Sequence, residues 1–349
     1  FTNAVEELKN KLFLILVLAI SSIAIPLSIS AQENSTAYNF LNLPSSSHIY
    51  GLGGMNISTV EDNLNLTDQN PALLGPEMDM QIGLNYMRYV GETNFAGLKF
   101  AKKASDRSAF GVGVQYFGYG NMNYTDEVGN NLGTFSPKDI AINVAYSHDI
   151  SDRWRGGINL KYVYSAYDEF SAMALAADLG INYYNPNNDL SLSLVAANLG
   201  GQVKRFNESY DRLPIDVLLG FTKGLGNLPV RLSVTAWNLT RWSLPYYDPG
   251  DGTSSDGLKL KESFASNLFR HLIFAADIVP SDRFHIGIGY NYKTRTDMST
   301  YSRNLLSGFS LTAGINVKAF GVDVAVAQPH TGATTFMVNL TANINDFIK

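Results

Sequence analysis

From about Glu77 onward, apolar residues occupy every second position in one run after another. Ile140, Ile142, Val144 and Tyr146 alternate with the small or polar Ala141, Asn143, Ala145 and Ser147. Ile158, Leu160, Tyr162 and Tyr164 repeat the pattern, as do Ile215, Val217, Leu219 and Phe221. It returns in Phe284, Ile286, Ile288 and Tyr290, and in Phe309, Leu311, Ala313, Ile315 and Val317. Successive side chains of a strand point to opposite faces, so a period of two predicts strands with one apolar face. Fourteen are expected, near 78–89, 93–103, 107–119, 138–150, 153–167, 171–185, 189–199, 214–224, 229–240, 268–278, 283–296, 306–318, 320–328 and 335–345. Most match the ~9–11 residues that a tilted membrane strand needs.

Alternation alone fits a soluble sandwich as well as a membrane barrel. The connections discriminate. One side carries only tight turns, "KKASDR", "HDISDRW", "NPNND", "GLGNLP", "VPSDR" and "KAFG", while the other holds most of the long loops, the longest from about Thr240 to Asn267. Outer-membrane barrels sort their loops this way, with short periplasmic turns and longer external connections. Pairing the last strand with the first would leave no edge open to lipid, where an unpaired backbone group is costly. The expected fold is therefore an all-β, fourteen-stranded antiparallel transmembrane β-barrel, residues 77–349.

The stretch "NLTDQNPALLG", Asn65–Gly75, breaks the alternation. Pro71 has no amide hydrogen to give a ladder, so the segment reads as a turn leading into a short helix or coil. Side chains alone do not fill a ring of this size. Residues 32–76 are accordingly expected to enter the lumen as an N-terminal plug. Asp68, Asn70 and Pro71 would meet the polar wall, and Leu64, Leu66, Leu73 and Leu74 would form a small core. Strand glycines such as Gly111, Gly113, Gly287 and Gly289 would make room for it. The alternative is an arm in the periplasm. Further upstream, Lys9 and Lys11, the apolar run Leu12–Ile25, and Pro26 with "LSISA" have the three parts of a secretory signal peptide. Residues 1–31 would then be removed after Ala31.

Composition agrees. Hydrophobic residues make up 45% of the chain, yet mean hydropathy is −0.04, so apolar and polar residues are interleaved rather than massed. The absence of cysteine excludes disulfides and thiolate chemistry. A net charge of −5 argues against nucleic acid as a partner, since phosphate binding needs a basic face. His48, His148, His271, His285 and His330 are scattered without metal-pair spacing, and no Gly-x-Ser-x-Gly elbow occurs. The chain thus nominates no catalytic, cofactor-binding or metal-ligating residue. Asp248, Asp251 and Asp256 miss the calcium-loop spacing and read as a flexible acidic loop. In the longest loop, Trp242, Leu244, Tyr246 and Tyr247 are the candidate partner-binding set, because clustered aromatics anchor protein interfaces. Displaced membrane-girdle residues are the alternative. Lys204, Arg205, Arg212, Arg241 and Arg303 fall at or near external loops, where lipopolysaccharide phosphates would lie.

"FLNLPSSSHIYGLGG" (Phe40–Gly54) followed by "DQNPALLGPEM" (Asp68–Met78) resembles the N-terminal signature of the PorQ family, outer-membrane subunits of the type IX secretion system of Bacteroidota. The wider group is similar to the fatty-acid-transporter-like (FadL-like) barrels and includes PorV; it shares fourteen strands and a hatch with an Asn-Pro-Ala motif, here Asn70-Pro71-Ala72. The resemblance implies a non-enzymatic barrel in the outer membrane of a Gram-negative cell. Such a barrel holds a PorZ-like surface protein, alongside PorU- and PorV-like subunits, in a complex that joins cargo to lipopolysaccharide. It brings no catalytic residues with it. The wider group also suggests a transporter of hydrophobic molecules, which the mostly polar inward positions place second.

Overall fold

The computed structural model describes residues 36–348, apart from Ser209, Asn227, residues 249–258, Asp282, residues 299–305, Lys318 and Thr331. The expected signal peptide, the start of the expected plug at 32–35, the loop acids Asp251 and Asp256, and Arg303 lie outside the described residues. Fourteen strands form one closed ring. In chain order they are β1 (Gln81–Arg88), β2 (Asn94–Ser105), β3 (Ser108–Gly118), β4 (Lys138–Asp149), β5 (Trp154–Tyr167), β6 (Phe170–Asn185) and β7 (Leu190–Lys204). The remainder are β8 (Asp216–Gly224), β9 (Val230–Ala236), β10 (Leu272–Ser281), β11 (Phe284–Asn291), β12 (Phe309–Val317), β13 (Phe320–His330) and β14 (Ala333–Asn343). Each strand is antiparallel to its sequence neighbour, and β1 closes the ring on β14 in continuous register from Gln81↔Asn343 to Arg88↔Phe336.

The two faces are inverted relative to a soluble protein. Leu84, Leu98, Val112, Val144, Leu160, Leu194, Leu219, Leu311, Val324 and Leu340 all point outward and are exposed. Their neighbours of opposite parity, among them Asn85, Lys99, Gln115, Asn159, Lys161, Ser193, Thr222, Thr312 and Asn339, are buried. Apolar surface leaves water at about 25 cal/mol per Å². An apolar row this continuous around the ring is therefore stable only against hydrocarbon, which makes the chain an outer-membrane barrel. No described helix is long and apolar enough to cross a membrane.

Strand ends depart from the alternation where a side chain redirects the backbone. The expected 283–296 strand stops at Asn291, whose side chain accepts from Thr294 N at 3.1 Å and caps a helix over Tyr292–Asp297. The expected 229–240 strand stops at Ala236, and Asn238 turns the chain at φ 55°. Conversely, β7 runs on to Lys204 through a bulge opposite Ala177–Leu179, held by the Asn198 amide donating to Asp178 Oδ1 at 2.8 Å. Two small hairpins, Met122–Thr125 with Asn131–Phe135 and Tyr246–Asp248 with Lys259–Lys261, stand within the long connections. The long side also has tight turns, at 89–93 and at Asp168-Glu169.

Val144→Arg places a charge on the outward face near the middle of β4. The folded barrel is expected to lose about 2–4 kcal/mol in urea titrations of vesicle-inserted protein.

Candidate functional site

Residues 36–80 run inside the ring, because they contact the inward faces of strands from all sides of it. The segment starts at the end of the ring that carries the long connections. Thr36 bridges Arg212 in the β7–β8 connection, and Tyr38 and Phe40 pack among Met87, Phe95, Phe117, Val163 and Met337. That end of the lumen is thus apolar, unlike the rest of the inner wall. Below it, Ser46 accepts from Ile49 N at 3.2 Å and caps the Ser47–Gly51 helical turn. Asn339 of β14 holds that turn, accepting from Ser47 N at 2.5 Å and donating to Ser45 O at 2.7 Å. The Tyr50 hydroxyl meets Thr335 Oγ1 at 2.5 Å, and burial raises its pKa. Met55 and Ile57 cross the lumen to Val195, Leu218 and Ile273.

The sequence-nominated residues of this segment all lie on or near the wall. Asp68 forms a buried ion pair with Lys99 of β2, and its other oxygen accepts from Ser45 N and Gln115 Nε2, both at 3.2 Å. Asn70 Nδ2 donates to Ile57 O at 2.8 Å and to Ser193 Oγ of β7 at 3.2 Å, while its Oδ1 accepts from Ala72 N at 2.9 Å. That last bond caps the short 3-10 turn that Pro71 opens, where the missing proline amide costs nothing. A Cβ on Gly157 would overlap the Pro71 backbone, and one on Gly289 would overlap Leu52 and Gly53, so the segment seats against bare backbone at both places. Leu74 packs with Leu64 and Met78 on Ala101 and Ala109, whereas Leu66 and Leu73 are buried outside that cluster. The segment leaves at the end with the short turns, where Arg155 of β5 pairs with Glu77 at 2.7 Å and Asp149 at 2.5 Å.

The sequence read the histidines as isolated, yet two of them meet inside the ring. His48 is fully buried, with Nε2 2.8 Å from Asp277 Oδ2 of β10 and Nδ1 3.6 Å from Glu61 Oε2. Its ring stacks on His285 of β11, centroids 3.9 Å apart. His285 Nε2 lies 3.5 Å from Asp323 Oδ1 of β13, and Arg231 of β9 pairs with Glu61 and approaches Asp277 at 3.8 Å. Burial opposes a charge on His48, but Asp277 and Glu61 outweigh it and hold its pKa up at about 9. Six residues from five strands or segments meet here, so no spacing rule in the chain announces them. The legible signal was parity, since Asp277, His285 and Asp323 occupy inward positions beside the glycines Gly287 and Gly314.

The aromatic loop set is split. Trp242 stacks on His271 at 5.0 Å and meets Phe264 at 5.4 Å. Leu244 is buried, its amide donating to Asn267 Oδ1 at 3.2 Å, and Tyr246 lies under the Arg270 guanidinium at 4.9 Å. These contacts bind the loop to its own Phe264–Arg270 helix. Only Trp242 and Tyr247 keep large exposed faces.

A closed fourteen-stranded ring with an apolar outside has the fold of solved outer-membrane barrels of the FadL type. The fold is shared with the Ralstonia pickettii toluene transporter TbuX, at 14% identity over 86% of this chain and 97% of that one, TM-score 0.50. It is shared with a Pseudomonas aeruginosa FadL homologue, at 12% identity over 86% and 98%, TM-score 0.50. A deletion mutant of the TodX monoaromatic hydrocarbon channel aligns at 11% identity over 87% and 100%, TM-score 0.52. At such identities the likeness concerns the fold alone. The resemblance to the PorV group stands on sequence: residues 29–185 match the family model described as type IX secretion system protein PorV. No curated protein matches the chain significantly.

Asp68→Ala leaves the Lys99 ammonium buried without its partner and is expected to cost about 3–5 kcal/mol. Adding Lys99→Met is expected to restore most of it, read as thermal unfolding of the detergent-solubilised barrel.

Proposed function

We propose that the chain is a non-enzymatic subunit of the type IX secretion attachment complex, a PorQ-like barrel that holds a PorZ-like surface protein beside PorU- and PorV-like partners at lipopolysaccharide. The PorV family match supports the system. One observation favours anchoring over passage: the inserted segment acts as a plug tied to the wall at its middle and both ends. The contacts are the Asp68–Lys99, Glu61–Arg231 and Glu77–Arg155 pairs and the apolar packing of Tyr38 and Phe40. A cavity of about 250 Å³ at the external side and one of about 710 Å³ at the periplasmic side share no lining residue. A docking platform needs a stable lumen; a conduit needs a continuous one. Trp242 and Tyr247 are the surface groups on which the partner would first be sought.

A second reading, transport of hydrophobic small molecules such as fatty acids, has one observation in its favour. The external cavity has largely apolar walls, including Leu43, Met55, Trp237, Ile273 and Phe309. Both readings are tested in one strain. Deleting the gene is expected to release the PorZ-like protein from washed cells while leaving uptake of a labelled fatty acid unchanged. Normal surface retention with lost uptake would reverse the assignment.

A further inference from the structure

The Phe264–Arg270 helix is turned the wrong way for water. Phe264, Leu268 and Phe269 are exposed, the first at 69%, while Asn267 and Arg270 are buried, the second at 2%. At 3.6 residues per turn, Phe264, Ala265, Leu268 and Phe269 span an arc of about 140°, and Asn267 and Arg270 lie on the opposite side. Protein contacts fix this rotation. Asn267 Oδ1 accepts from Leu244 N at 3.2 Å, and Arg270 donates to Thr296 Oγ1 and to Asp297 Oδ1. His271, the next residue, meets the Trp237 and Trp242 carbonyls at 2.8 and 3.0 Å. The apolar arc is therefore held outward, with the same inversion as the strands of the ring.

We propose that this face, with Trp242 beside it, lies in the bilayer and anchors the connection between β9 and β10 to the leaflet on the side of the long connections. The face continues the lipid-facing band rather than standing apart from it. Only His271 separates the helix from Leu272, where β10 begins. Phe269 packs edge-on with Tyr292, the first residue after β11, at 6.0 Å, and Tyr290 meets Phe309, the first residue of β12, at 4.8 Å. Aromatic side chains thus follow the rim from β10 to β12, as they do where hydrocarbon gives way to headgroups. Trp242, 5.4 Å from Phe264, widens the same patch. Seven residues alone would bind a membrane weakly, but the ring holds them at the interface in advance, so little freedom remains to be lost. The competing occupant is a protein partner, which would have to displace lipid from the edge of the band.

The chain has no cysteine, so single thiols can be introduced into it directly. Nitroxide labels on Phe264→Cys and Leu268→Cys are measured in the full barrel, inserted into phosphatidylcholine vesicles and shown to be folded by heat-modifiable migration in gels. Leu311→Cys on the outward face of β12 supplies the hydrocarbon reference, and Val128→Cys, 87% exposed in the Met122–Phe135 hairpin, the aqueous one. At 264 and 268, as at 311, collision with oxygen is expected to exceed collision with a water-soluble nickel chelate, the reverse of position 128. A ratio like that of position 128 at either site overturns the proposal; if the same label is then shielded from the chelate in native outer membrane, the face belongs to a protein partner instead. The unlabelled barrel gives a second reading. Brominated lipid is expected to quench tryptophan fluorescence less in Trp242→Phe than in the wild type, and equal quenching overturns the proposal as well.

Discussion

In hydrocarbon an unpaired backbone amide or carbonyl has nothing to bond, and each one costs several kcal/mol. The pairing of Gln81–Arg88 with the last strand removes both free edges that an open sheet would have. Much else follows from that closure. A ring of fourteen strands encloses more space than its own inward side chains occupy. The chain fills it with residues 36–80, and the wall accommodates them with glycines where backbone meets backbone and charged side chains elsewhere.

The two surfaces use different energies. Outside, stability comes from area: rows such as Val112, Val144 and Leu160 need only be apolar and of the right parity. Inside, it comes from pairing, because Lys99, Lys161 and Arg231 are each buried beside a carboxylate. Substitution should be tolerant on the first surface and unforgiving on the second, where removing one partner strands the other.

That division also decides how much was legible in the chain. Period-two alternation located every strand of the ring, because it depends on neighbours along the sequence. Pro71 marked the segment that could not be a strand. The ends of β9 and β11 were missed because single polar side chains, Asn238 and Asn291, override the alternation there. The cluster around His48 and His285 was missed for a different reason. His48 and Asp277 are 229 positions apart, and only closure of the ring brings the members together. The contacts that split the loop set were not legible, since Arg270 and Asn267, more than twenty positions on, draw Tyr246 and Leu244 inward.

Thr36 bridges Arg212 at the rim that carries the long connections, while Glu77 pairs with Arg155 at the opposite rim. The protein is therefore threaded through itself. A wall that closed empty would have to admit some forty residues end-first past side chains already in place. Biogenesis is simpler if the leading segment is gathered by the nascent sheet and the first and last strands zip together only afterwards, with the contents serving as the mould for the container.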